Sequence, residues 1–100
     1  MSSKQRAFLL KKAHKLEPIV RIGKDGIGDN IKSSILSAIS SRELIKVKIL
    51  QNCEEEKSSI YDKLSSWDEV TVVSMIGRTL IIFKENKEEP IISNELKMIK

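Results

Sequence analysis

Apolar residues recur with a helical period at the start of the chain. Leu9, Ala13 and Leu16 fall on one stripe at about 100° per residue, and the lysines fall on a different face. Ser2 or Ser3 is a suitable N-cap, so the pattern predicts a helix from there to about Lys15. The lysines of its polar face are Lys4, Lys11 and Lys15.

Two more helices are predicted further along. Asp29 can cap the second, and the acidic residues 54–56 suit the positive N-terminus of the third. The expected inward-facing residues are Ile31, Ile35, Ala38 and Ile39 in the second helix, and Ile60, Leu64 and Trp67 in the third.

Four short segments have the apolar content of strands: residues 19–22, 44–50, 70–76 and 79–83. Pro18 stops the first helix, and Ile19, Val20 and Ile22 then predict a buried strand. The second strand alternates, with isoleucine and valine on one face and Lys46 and Lys48 on the other. Only Gly77 and Arg78 separate the last two strands, which predicts a tight hairpin.

The element order is therefore α-β-α-β-α-β-β, which indicates an α/β fold. Helices between strands imply at least one parallel pair, and the final hairpin is antiparallel, so we expect a single two-layer domain with a four-stranded mixed sheet. The domain is predicted over residues 1–84. Residues 85–100 lack a clear period and are predicted to be a C-terminal tail, in which a short helix near Glu95 to Ile99 stays an open option.

A glycine turn joins the first strand to the second helix, and it reads Gly23-Lys24-Asp25-Gly26. Without Cβ atoms the two glycines let another chain approach the backbone closely, and the following helix directs its free N–H groups and positive dipole end at the turn. Phosphates fit such a site. An ordinary strand-to-helix turn is the alternative reading of the glycines alone.

Charge is distributed unevenly along the chain. Residues 1–48 hold eleven Lys and Arg against four Asp and Glu, whereas residues 49–100 hold seven against ten. The basic half predicts a polyanionic partner, nucleic acid before an anionic membrane, although lysine-rich solvated faces are common. The composition predicts a soluble chain, and with no long apolar segment and no signal peptide, a cytoplasmic location is expected.

Catalysis and cofactors find little support in the sequence. Cys53 is the only cysteine and His14 the only histidine, which excludes an intrachain disulfide and a cysteine cage for a metal. No phosphate-loop, metalloprotease or serine-hydrolase motif occurs, so we expect a protein that is not an enzyme and that needs no metal or cofactor. Tyr61 and Trp67 are interpreted as core-edge residues and not as stacking platforms for bases.

Several motifs occur in a fixed order along residues 1–84: Ser3-Lys4-Gln5-Arg6, Ala13-His14, Pro18, Ile22-Gly23-Lys24 with Gly26, residues 42–48 (Arg-Glu-Leu-Ile-Lys-Val-Lys) and Ile76-Gly77-Arg78-Thr79. Together they resemble the YhbY family, stand-alone bacterial proteins with one CRM (chloroplast RNA splicing and ribosome maturation) domain. The resemblance covers roughly residues 1 to 84.

The resemblance implies a domain like the C-terminal domain of translation initiation factor three, with the GxxG loop at the RNA-binding surface. It also implies association with precursors of the large ribosomal subunit and a role in RNA folding or assembly without catalysis. Two residues depart from the family pattern: Lys12 stands where an apolar residue is usual, and Asp25 puts a negative charge inside the loop.

We therefore expect a monomeric protein that binds ribosomal RNA of large-subunit precursors and takes no small-molecule substrate. A protein-interaction module that docks on an assembly factor or ribosomal protein is the alternative, and DNA is a third possible partner. The candidate RNA-binding residues are Gly23, Lys24, Asp25, Gly26, Lys4, Arg6, Lys11, Lys15, Lys46, Lys48 and Arg78.

Overall fold

The computed structural model describes residues 1–99 of the chain. Its elements follow the predicted order and add one short helix after the last strand. They are α1 (Ser3–Ala13), β1 (Pro18–Ile22), α2 (Asp29–Ser40), β2 (Leu44–Ile49), α3 (Lys57–Ser65), β3 (Thr71–Ile76), β4 (Thr79–Phe83) and α4 (Ser93–Lys97).

The four strands form one mixed sheet in the order β1-β2-β4-β3. β1 pairs with β2 in parallel across α2, and β4 pairs antiparallel with both β2 and β3. In the β3–β4 turn Gly77 has φ +61 and Arg78 has a negative φ, the combination of a type II′ hairpin turn. The mixed α/β domain and the hairpin are confirmed.

Helices cover both faces of the sheet, so the prediction of two layers is wrong. Alternate residues of β2 and β4 point to opposite faces, and each set is apolar enough to form a core. The larger core lies between the sheet and α2 with α3, and we call this side the α2 face. The smaller core lies under α1 and α4, on the α1 face. Its residues are Leu9, Ala13, Leu44, Val73, Ile81, Phe83 and Leu96.

The first helix is shorter than predicted. Ser2 is its N-cap and forms a capping box with Gln5, as the sequence suggested, but the helix ends at Ala13 with His14 as its C-cap. The chain turns there to enter β1, so Leu16 leaves the apolar stripe and is 37% exposed. Ile19 is 42% exposed because β1 is an edge strand whose α1 face is uncovered.

The second helix starts differently from the prediction. Gly28, not Asp29, is its N-cap, and no side chain caps its N-terminus. Asp29 is the first residue of the helix, where its charge favours the helix dipole without capping the amides.

Glu43 connects the end of α2 to the segment that follows β4. It is fully buried and is the one non-glycine residue among residues 1–99 with a positive φ, +66. Its Oε1 accepts the backbone N–H groups of Ile91, Ile92 and Ser93 at 2.7, 2.6 and 3.0 Å. Its Oε2 accepts that of Asn86 at 2.7 Å.

The segment after residue 84 is therefore held against the domain. Leu96 in α4 is buried against the smaller core, and Gln5 Nε2 donates to the Leu96 carbonyl at 3.4 Å. The predicted domain boundary at residue 84 stays a prediction. The short helix left open in the sequence exists and starts two residues earlier, at Ser93.

Candidate nucleic-acid interface

The glycine loop is a hydrogen-bonded turn at the carboxyl end of β1. The N–H of Gly26 donates to the carbonyl of Gly23 at 3.0 Å, which leaves Lys24 and Asp25 exposed at the tip. The carbonyl of Lys24 accepts the N–H of Glu54 at 3.3 Å, so the loop is tied to the chain that leads into α3.

Gly26 is required by both conformation and space. Its φ is +67, which strains any residue with a Cβ, and a Cβ there would collide with the carboxylate of Glu55. Gly26 is itself buried, whereas Lys24 is exposed. Gly26, the second glycine of the motif, therefore sets the backbone conformation of the loop from a buried position.

Glu55 supports the loop from the α3 side. Its Oε1 accepts the N–H of Ile27 at 3.3 Å and its Oε2 accepts the hydroxyl of Ser59 at 2.9 Å, beside an ion pair with Lys63. The Lys63 ammonium is the main cause that lowers the pKa of the Glu55 carboxyl, with help from Ser59 and Ile27 against the effect of burial. Residues 54–56 were interpreted as a helix start alone, so this role of Glu55 was missed.

A groove runs from the loop to the N-terminus of α2. It is lined by Gly23, Asp25, Gly26, Gly28, Asp29, Asn30 and Ile31. The first-turn amides of a helix have no intrahelical acceptor, and here no side chain supplies one, so the N–H groups of residues 29–31 are available to a ligand. Convergent amides at a positive helix end bind phosphate oxygens, and Asp25 and Asp29 oppose this with their charge.

The lysines of α1 lie on the side of the helix that points away from the sheet. Lys4, Lys11 and Lys15 are exposed, and Lys11 and Lys15 border a groove with Phe8 and Lys12. Lys15 lies just beyond the end of the helix. Arg6 lies beside β3 residues, and His14 at the C-terminal end of α1 lies beside Lys46 of β2 and Ile76 of β3.

Arg6 lies apart from this lysine stripe, whereas Lys12 borders the same groove but is engaged within the protein. Arg6 borders a groove with Tyr61, Ser74 and Met75 at the β3 edge. Lys12 lies 5.5 Å from the centre of the Phe8 ring and 3.5 Å from the Glu95 carboxylate. The departure from the family pattern at Lys12 is thus accommodated by an ion pair to α4 and by the position of its ammonium over the Phe8 ring.

Lys46 and Lys48 lie on the α1 face of the sheet, opposite the larger core, as predicted. Lys48 is exposed and Lys46 is half-buried beside His14 and Ile76. Arg21 lies on the same face in register with Lys48 and is exposed. Arg21 was not among the predicted residues, although strand alternation against the buried Val20 and Ile22 already placed it on the outer face.

Arg78 is engaged within the protein. Its Nε and Nη2 donate to the carbonyls of Ile49 and Leu50 at 3.1 and 2.9 Å. The guanidinium thereby satisfies the backbone where β2 ends, next to the loop, and one terminal nitrogen remains for a ligand.

Little aromatic surface is exposed for stacking against nucleic-acid bases. Tyr61 and Trp67 are half-buried against the larger core, and Lys32 lies 5.0 Å from the centre of the Trp67 ring. Over residues 1–99 no cluster of three or more His, Cys, Asp or Glu side chains is placed to hold a metal ion. Nor does any helix in that range have the length and apolarity to cross a membrane.

The domain combines a net positive charge with a Gly-x-x-Gly loop next to open helix amides, features that suit an anionic ligand. The model of the CRS1/YhbY (CRM) domain family matches residues 1–84. The chain is 44% identical over 88 residues to the probable RNA-binding protein YqeI of Bacillus subtilis, covering 88% of this chain and 92% of that protein. This chain belongs to the CRS1/YhbY (CRM) domain family.

Two further similarities support this assignment. An RNA-binding protein of Haemophilus influenzae is 32% identical over 91 residues, covering 91% of this chain and 92% of that protein. The solution structure of a hypothetical protein from Staphylococcus aureus, described as a candidate RNA-binding protein, superposes with a TM-score of 0.70 at 38% identity. That match covers 91% of this chain and 99% of the other.

Proposed function

We propose that this protein binds ribosomal RNA in precursors of the large ribosomal subunit and assists their assembly without catalysis. In this proposal it acts as a monomer in the cytoplasm. The observation that carries it is the groove between Gly23 and Ile31, where glycine backbone and the uncapped amides of α2 lie together next to the exposed Lys24.

The chemistry of this groove suits a phosphate group. Backbone N–H groups donate to its oxygens, and the Lys24 ammonium adds a point charge from the loop tip. Such contacts carry no base information, so the protein reads the RNA backbone and its shape. Folded or duplex ribosomal RNA therefore suits this site better than an unstructured strand, because the four aromatic side chains, Phe8, Tyr61, Trp67 and Phe83, are buried or half-buried and offer little stacking surface.

Gly26 is unsuitable as a first test position, because its replacement disturbs the fold against Glu55. Lys24→Gln is better, since the side chain is exposed and has no ion pair among residues 1–99. We expect it to weaken binding to large-subunit ribosomal RNA fragments and to make the plot of log Kd against log salt shallower by about 0.7 to 0.9.

The matched control is Lys87→Gln, which removes the same charge from an exposed position outside the groove. Equal affinity and equal salt slopes for wild type, Lys24→Gln and Lys87→Gln would overturn the loop assignment. A nuclease challenge tests the protein-docking alternative. Association with precursor particles should be lost when their RNA is digested, and its survival would make a protein the primary partner.

A further inference from the structure

The α1 face of the sheet is only partly covered. α1 and α4 cover the half with Leu44, Val73 and Phe83. In the half next to the glycine loop, Leu10 and His14 of α1 border Lys46, Thr79 and Ile76, while Arg21 and Lys48 are exposed. A cross-strand row of partners runs over this half in the order Arg21, Lys48, Thr79 and Ile76. We call this row, together with Lys46, the open sheet face.

Two like charges stand side by side on this face. Arg21 and Lys48 are direct register partners on adjacent strands, which lie about 4.8 Å apart, and both are exposed. Like charges directly opposite each other on one face of a sheet destabilise the pairing. A protein that had only to fold would gain from a neutral residue or an acid at either position.

No acidic side chain compensates this pair. In the described part of the chain, ion pairs within 4.0 Å involve Lys12, Lys32, Lys63 and Lys97, and none involves Arg21, Lys46 or Lys48. The counter-charge for the open sheet face therefore has to come from solution or from a ligand.

We propose that the open sheet face is a second phosphate-binding surface, and that RNA bound at the glycine loop continues across it over Arg21 and Lys48. This proposal rests on the proposed function and extends it by naming the path of the RNA. Arg21 lies on β1, two residues before Gly23 in the chain, so the open sheet face continues directly into the glycine loop.

An RNA backbone fits this surface better than an acidic protein segment. The paired charges of Arg21 and Lys48 lie on the strands that lead to the glycine loop, beside amides that already suit phosphate. Ile76 and Ile19, 62% and 42% exposed, border this surface. Arg21 offers two donors to one phosphate, and Lys48 offers a point charge to its neighbour.

The test uses the full chain with Arg21→Gln, Lys48→Gln and the double variant, measured on the same large-subunit ribosomal RNA fragments. The double variant should lower affinity about tenfold and make the salt slope shallower by about 1.5, since it removes two phosphate contacts. At low salt the same variant should keep or raise the melting temperature, because it removes the repulsion. Lys57→Gln/Lys87→Gln is the charge-matched control, with both lysines exposed and away from this face.

The outcomes separate this proposal from the proposed function. If Lys24→Gln weakens binding but the Arg21/Lys48 double variant behaves like its control, the open sheet face is not an RNA surface and the loop assignment stands. If neither weakens binding, both proposals fall. If the double variant binds RNA like wild type but is released from precursor particles, the face docks a protein and the proposal is overturned.

Discussion

Backbone amides converge on one point at two places in this molecule, and the two places are filled differently. Next to Ser93 the amides of Asn86, Ile91, Ile92 and Ser93 all donate to the buried carboxylate of Glu43. At the N-terminus of α2 the amides after Gly28 have no side-chain acceptor and face a groove. The first cluster is a structural anion site with a built-in anion, and the second has room for an external one.

The filled site shows how strongly such amides favour an anion. Burial raises the pKa of the Glu43 carboxyl, yet the N–H groups of Asn86, Ile92 and Ser93 reverse this and lower it to about 2. Backbone amides thus hold the Glu43 carboxylate, and no lysine or arginine pairs with it among residues 1–99. At the open site the same chemistry, with Lys24 added, is available to phosphate.

Removal of the buried Glu43 carboxylate should produce the largest loss of stability. Glu43→Ala leaves four backbone amides, one buried and three partly buried, without their acceptor, and we expect a loss of at least about 3 kcal/mol in the free energy of unfolding. Urea denaturation measures it, with Glu88→Ala as the control because that carboxylate is exposed in the same segment. A cost below about 0.5 kcal/mol would mean that the segment after β4 does not depend on Glu43.

Acid should neutralise the Glu43 carboxylate without any mutation. Because the pKa of Glu43 is lowered from 4.5 to about 2, its contribution is complete above about pH 5 and is lost as the pH falls toward 2. The contribution is roughly 3 kcal/mol from a shift of this size. Unfolding curves between pH 6 and pH 2.5 should fall more steeply for wild type than for Glu43→Gln, and parallel curves would contradict the assignment.

The glycine loop should tolerate a Cβ less well than the hairpin does. Gly26 and Gly77 both have positive φ, but only a Cβ at Gly26 meets another group, the Glu55 side chain. Gly77→Ala should cost about 1 kcal/mol and Gly26→Ala about 1 kcal/mol more. Equal costs in thermal unfolding would show that Glu55 moves aside freely.

Neutralisation of Glu55 should have the smallest effect. Glu55→Gln keeps an acceptor for the N–H of Ile27 and removes a negative charge from behind the groove. We expect RNA affinity to rise by up to about threefold, as one repulsive charge at surface dielectric is worth well under 1 kcal/mol. A fall in affinity would show that the ion pair with Lys63 is needed to hold the loop.

The open site was more visible in the sequence than the filled one. The Gly-x-x-Gly spacing between an apolar run and a helical pattern is local, so the loop could be located without the fold. The contacts of Glu43 lie 43 to 50 residues away along the chain, and no local pattern reports them. The same limit applies to Glu55, whose acceptor role toward Ile27 depends on the packing of α3 against the loop.

The main error in the predicted fold was the number of layers, since helices cover both faces of the sheet and not one. The reason lies in the residues of β2. Lysines at positions 46 and 48 made β2 look solvated on its outer face, yet Leu44 at the start of the same face packs under α1. One face is thus covered at one end and open at the other, and strand alternation alone does not distinguish the two ends. The uncovered end is where Arg21 joins the predicted lysines.

The most direct test of the account is to fill the open amides with a side chain from the protein itself. Gly28 is the N-cap of α2, its φ is −112, and a Cβ there meets nothing within 4 Å, so Gly28→Asp and Gly28→Ser can cap the helix without strain. Glu56→Asp is the control, because it supplies an equivalent cap to α3, whose N-cap Glu56 makes no side-chain cap bond.

Stability and RNA affinity should be measured for all three variants on the same ribosomal RNA fragment. We predict that each keeps or gains a few tenths of a kcal/mol in stability, and that both Gly28 variants lose RNA affinity by about tenfold or more while Glu56→Asp does not. The neutral Gly28→Ser separates occupation of the amides from charge repulsion. Wild-type affinity in a stable Gly28→Ser and Gly28→Asp would contradict the claim that the α2 amides receive phosphate.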